Sequence, residues 1–95
     1  MSLNLNIIIP CYNEKNTIGT IIDKVLEVEP YQKKIIVVDD FSIDGSKDVL
    51  KKYENIRGIE ILYHEKNYGK GKAIRSGLTK VEQGLVLIQD ADLEY

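Results

Sequence analysis

At 95 residues, with 43% apolar residues and a net charge of −2, the chain has the composition of one globular domain, near the lower size that builds its own core. Lysines and arginines are scattered among acids, which excludes the basic patch of a nucleic-acid binder. A single cysteine (Cys11) and a single histidine (His64) exclude an internal disulfide, a cysteine zinc site and a histidine metal cluster.

In chain order, Leu5 to Ile9 reads as a strand stopped by Pro10. Ile18, Ile21, Ile22, Val25 and Leu26 then follow helical spacing, with Asn16 as N-cap and Pro30 as terminator. "IIVV" at Ile35 to Val38 is continuously apolar, as in strands covered on both faces. After the turn "SIDGS", in which Ser46 is the expected cap, Val49, Leu50 and Tyr53 form a short helical stripe. Ile59 to Tyr63 is a third strand. Ala73, Ile74, Gly77, Leu78 and Val81 make a third helix that Gly84 ends, and "LVLI" at Leu85 to Ile88 is a fourth covered strand. This alternation predicts an α/β fold: a three-layer α/β/α domain of four mainly parallel strands with helices on both faces. No apolar run approaches the ~20 residues of a membrane helix, and a reducing, cytoplasmic setting is expected.

The polar residues gather just past the strand ends, at "PCYNE", "DDFSIDG", "HEKNYGKGK" and "DAD". A parallel sheet brings these loops to one carboxyl edge, where ligands of open α/β folds bind. Placing strand four beside strand one would group Tyr12, Glu14, Asp39, Asp90 and Asp92 around one crevice. So many acids repel unless a cation or a donor-rich ligand neutralises them, and a divalent metal is the economical answer. Asp90 and Asp92 point the same way by strand alternation and suit a hard cation, though Asp-x-Asp also recurs in surface loops. Asp39, directly at the strand end, is expected to accept hydrogen bonds from a ligand's N–H groups, whereas Asp44 reads as turn chemistry. "NYGKGKAIRSG" lacks both the Walker and the dinucleotide glycine spacings. Its Lys70, Lys72 and Arg75 at a helix start suit an anion or, equally, plain solvation. His64 reads as a strand-end surface residue and Cys11 as a small, half-buried one.

Together, "IIIPCYNE", "IIVVDDFSIDGS", "NYGKGKAIRSG" and "VLIQDADLEY" resemble the family 2 glycosyltransferases of GT-A fold. Within them the chain is most similar to the polyprenyl-phosphate sugar transferases, such as the dolichol-phosphate mannose synthases. The resemblance implies transfer of a sugar from a GDP- or UDP-sugar to an acceptor, here polyprenyl phosphate or a glycan. It implies that Pro10, Tyr12 and Glu14 line the nucleotide pocket, that Asp39 bonds the base with Asp40 nearby, and that Lys70 supports the nucleotide. It also implies that Asp90 and Asp92, with Glu94, hold Mg²⁺ or Mn²⁺ against the diphosphate.

Because relatives of this kind continue past Asp-x-Asp, residues 1–95 are expected to be the N-terminal nucleotide-sugar-binding part, with catalytic residues beyond Tyr95 and no turnover alone. The longer protein is expected in the cytoplasm, at the cytosolic face of a membrane. Strand four would then lie open at the sheet edge and self-association is expected, so a monomer in sedimentation at high concentration counts against it. Two alternatives remain: a non-catalytic nucleotide-binding fragment, and a receiver-type signalling domain suggested by "IIVVDDFS".

Overall fold

The computed structural model describes residues 4–27 and 32–91. The elements run β1 (Asn4–Cys11), α1 (Ile18–Glu27), β2 (Gln32–Asp39), α2 (Ser46–Lys51), β3 (Ile59–Tyr63), α3 (Lys70–Leu78) and β4 (Leu85–Ile88). Four parallel strands form one sheet in the order β3-β2-β1-β4, so the chain reverses direction across the sheet between β1 and β4 as expected.

Alternation along the strands divides the core between the two faces. Ile7, Ile9, Ile35 and Val37 pack with Ile18, Ile21 and Ile22 of α1 and Leu50 of α2. Ile8, Ile36 and Val38 face the other way, with Ala73 of α3. Because β1 and β2 are central, their side chains are covered on both faces and read as unbroken apolar runs.

Several expectations need correcting. Pro10 does not stop β1, which continues to Cys11; pairing with β4 ends at Ile8, so the missing N–H of Pro10 falls where that ladder asks for no donor. Thr17 rather than Asn16 stands at the start of α1, its carbonyl accepting the Ile21 N–H at 2.9 Å. Ser46 does not cap α2: Gly45 does, at φ 102°, while the Ser46 N–H and hydroxyl both donate to Asp44 Oδ1. Helix α3 begins at Lys70 and ends at Leu78, and Gly84 introduces β4 instead of ending the helix. Pro30 lies outside the described residues.

The largest departure is β4. Its four residues are 39–54% exposed although the sequence reads as a strand covered on both faces. Among the described residues it is an edge strand paired with β1 alone, and α1 and α3 sit over β1 and β2. The open edge itself was expected, and the expected self-association rests on it. No helix among the described residues is long and apolar enough to cross a membrane.

Candidate functional site

At the carboxyl edge, the β1 and β2 loops are locked together before any ligand is considered. The Asn13 N–H donates to Ser42 Oγ and the Ile43 N–H to Asn13 Oδ1, both at 2.9 Å. The Glu14 N–H donates to Ser46 Oγ at 2.9 Å and the Lys15 N–H to Asp44 Oδ2 at 3.0 Å. Asp44 is thus a structural brace, as its turn chemistry suggests. Burial raises its carboxyl pKa, but the bonds from Ser46 and Lys15 outweigh that and hold it below the usual range. Asn13 (φ 52°) and Phe41 (φ 66°) adopt left-handed backbone here, a strain common at functional loops.

A crevice of about 430 Å³ opens beside this brace. Pro10, Tyr12, Glu14, Asp40, Lys70 and Asp90 all line it, so six of the expected site residues converge from four separate segments. Cys11 and Ala91 form part of its floor, both almost wholly buried. A larger hollow of about 760 Å³ lies at the opposite sheet edge, near Asn4 and Lys34. There the Lys34 ammonium is already bonded to the Lys80 carbonyl and Glu82, and the loops that follow the strands do not reach it.

Asp39 and Asp40 have opposite surroundings because neighbouring strand residues face opposite ways. Contrary to expectation, Asp39 does not line the crevice: it is fully buried on the α1 and α2 side, its Oδ2 accepts the Ser42 N–H at 3.0 Å, and its Oδ1 has no hydrogen-bond partner among the described residues. Asp40, on the α3 side, is occupied by its own chain. Its Oδ1 accepts the Tyr68 N–H (2.9 Å) and bonds His64 Nδ1 (2.8 Å), and its Oδ2 accepts the Gly69 N–H (2.7 Å). Burial alone would raise the Asp40 pKa, but the His64, Tyr68 and Gly69 bonds together hold it below the ordinary carboxylate value.

His64 is not the surface residue expected from sequence. Its side chain is 10% exposed, its Nε2 lies 2.8 Å from Ser76 Oγ, and its ring meets Tyr68 edge-on at 5.2 Å. Its partners lie 24 and 12 residues away, a distance at which no local pattern announces them. Thr17 was also missed, and its hydroxyl reaches the Ala91 carbonyl at 2.6 Å.

For a divalent cation, the crevice offers oxygen and not sulfur. The Cys11 thiol is pushed up to about 12, first by burial and then by the charge of Asp39, and so stays protonated. Glu14 and Asp90 line the same crevice, and a cationic group already sits on Asp90: Lys70 Nζ pairs with its Oδ1. The crevice thus presents two carboxylates, Glu14 and Asp90, of the oxygen type a hard cation takes, and no cluster of three ligating side chains occurs among the described residues. Asp92 and Glu94 lie outside the described residues.

A parallel sheet whose order reverses beside an acidic crevice defines an open α/β domain with a ligand crevice at the carboxyl edge of its strands. The chain belongs to glycosyl transferase family 2, whose family model matches residues 6–95. It is 35% identical over 106 residues to an undecaprenyl-phosphate 4-deoxy-4-formamido-L-arabinose transferase of Yersinia pestis, covering 99% of this chain and 32% of that protein. Among solved structures it is similar to Staphylococcus aureus TarS in complex with UDP-GlcNAc, at 27% identity and TM-score 0.82, over 95% of this chain and 27% of that one. It also shares the fold of a Pyrobaculum calidifontis mannosyltransferase solved with GDP-Man and Mn²⁺ (TM-score 0.86, 24% identity, 97% of this chain and 28% of that one). The chain thus spans about a third or less of the relatives it matches. Membership of this family removes the receiver-domain alternative.

Proposed function

We propose that the chain provides the donor half-site of a metal-dependent glycosyltransferase that moves a sugar from a nucleoside-diphosphate sugar to a polyprenyl phosphate. The observation that carries this reading is the convergence of Tyr12, Glu14, Lys70 and Asp90 on one crevice at the carboxyl edge. Asp39 is assigned the base in this reading because its Oδ1 has no partner among the described residues; since the atom is fully buried and off the crevice, a nucleobase N–H would reach it only after the loop at Phe41–Ser42 shifts. In this reading Pro10 and Tyr12 flank the nucleotide, Lys70 meets the diphosphate, and Asp90, Asp92 and Glu94 hold Mg²⁺ or Mn²⁺. Asp40 acts by shaping the loop that carries Lys70.

The metal would supply charge stabilisation for the departing diphosphate. A phosphate acceptor is already anionic and asks little of a general base, which suits a polyprenyl phosphate such as the Yersinia relative is named for.

The test is calorimetric titration with GDP and UDP, each with and without Mn²⁺, on the native chain and on Asp92→Ala. Metal-dependent binding of one nucleotide is expected, weakened about tenfold or more in the variant. Equal affinity with and without Mn²⁺ would favour the non-catalytic nucleotide-binding alternative, and binding of neither nucleotide would overturn the half-site.

A further inference from the structure

We propose that Thr17 is a positioning residue for the acidic loop at Asp90, an inference that rests on the donor-site reading above. Thr17 does not line the crevice, but its hydroxyl donates to the Ala91 carbonyl at 2.6 Å, across 74 residues of sequence. Glu14 Oε2, from a side chain that does line the crevice, lies 3.3 Å from the same hydroxyl. A hydroxyl has one proton, so the shorter contact takes it.

The use made of this hydroxyl is what distinguishes it. A threonine at a helix start ordinarily turns its oxygen onto an N–H of its own first turn. Here the Thr17 hydroxyl instead ties its own loop to the distant one at Ala91. The chain around Asp90 is consequently pinned on both sides. Upstream, the Gln89 N–H donates to the Ile8 carbonyl at 2.9 Å, one position after β4 pairing ends. Downstream, Ala91 is 4% exposed, packed among the core residues under α1, and bonded to Thr17. Only the second anchor depends on a side-chain hydrogen bond, and that bond fixes the backbone at Ala91, next to Asp90. Substitutions that disturb the orientation of ligand-bearing loops usually cost about ten- to a hundredfold in metal affinity.

Three variants test the assignment. Thr17→Val keeps shape and removes the hydroxyl, Thr17→Ser keeps the hydroxyl, and Thr17→Cys supplies a weaker donor of similar size. Mn²⁺ binding is read by electron paramagnetic resonance, and nucleotide binding by calorimetry with and without Mn²⁺. Thr17→Val is expected to weaken Mn²⁺-dependent nucleotide binding about tenfold while changing metal-free binding less than about twofold. Thr17→Ser should restore native values, with Thr17→Cys between. Unchanged metal-dependent binding in Thr17→Val overturns the proposal. So does an equal loss with and without metal, or a Thr17→Ser loss as large as that of Thr17→Val. If Thr17→Val fails to fold, as judged by circular dichroism, the Thr17→Cys comparison decides by the same criteria. Should the native chain bind no nucleotide with Mn²⁺, the donor-site reading fails separately. Backbone amide exchange at Gln89 to Ala91 then tests Thr17 without ligand: faster exchange in Thr17→Cys supports the anchor, and unchanged exchange overturns it.

Discussion

Gly84→Ala is expected to destabilise the chain by about 3 kcal/mol, combining backbone strain with a backbone clash. Gly84 has φ 122°, a conformation that side chains rarely allow. A Cβ built there would lie 2.2 Å from the Asn4 carbonyl oxygen and 2.8 Å from Asn4 Cβ. The obstructing atom is main chain at the start of β1, so relief requires moving a strand. The same turn is clasped by Asn6, whose Nδ2 donates to the Gln83 and Leu85 carbonyls at 3.3 and 3.2 Å. Displacing Gly84 would therefore loosen the entry of β4, which carries Asp90 at its far end. For a domain this small the cost corresponds to a fall in melting temperature of about 12–24 °C, readable by circular dichroism. Gly77→Ala makes a useful contrast. Its Cβ would meet Ile8 Cγ2 at 2.7 Å, a stiff β-branched methyl in the core, so it too should destabilise, but the obstacle is a side chain and alanine's helix preference offsets part of the cost. A fall as small as that of Gly77→Ala would contradict the argument for Gly84.

Asp40→Asn is expected to cost about 2–4 kcal/mol, because it breaks a buried acceptor that three partly buried donors share. One carboxylate oxygen faces the Tyr68 N–H and His64, and the other faces the Gly69 N–H. Whichever way an asparagine amide turns, its NH₂ group meets a backbone N–H. The β3–α3 loop would loosen, and Lys70 would lose its fixed approach to Asp90.

The pH dependence follows from the same bonds. The folded Asp40 pKa lies below its unfolded value, which is about 3.9. Its stabilisation is therefore complete above that unfolded value and disappears as pH falls through the lower folded one. Urea midpoints of the native chain should drop between neutral pH and about pH 3. Asp40→Asn should start lower at neutral pH and lose less on acidification. A variant with the native acid sensitivity would show that Asp40 contributes nothing to it.

Much of the fold is legible in the sequence because the signals are local. The runs at Ile7–Ile9 and Ile35–Val38 lack polar alternation, as expected of strands covered on both faces, and the structure buries them so. The helical stripe from Ile18 places Ile18, Ile21 and Ile22 inward as its spacing requires. Right-handed crossovers then leave few topologies, and the polar loops must share an edge. Of the group expected there, Tyr12, Glu14 and Asp90 line one crevice, which Lys70 also lines, whereas Asp39 is buried away from it and Asp92 lies outside the described residues.

What the sequence by itself determined, then, is periodicity, element order and the edge at which the acids collect. The tertiary structure alone decided how each polar group is employed. Asp39 and Asp40 are adjacent and chemically identical, yet one keeps an unpartnered buried oxygen while the other is consumed by its own chain. The open edge at β4 was expected, but its apolar sequence, read as covered on both faces, did not announce that its side chains stand exposed. Burial and hydrogen-bond satisfaction depend on contacts between residues far apart in sequence, such as Thr17 with Ala91 or His64 with Asp40. Those contacts form only when the sheet has brought the loops together.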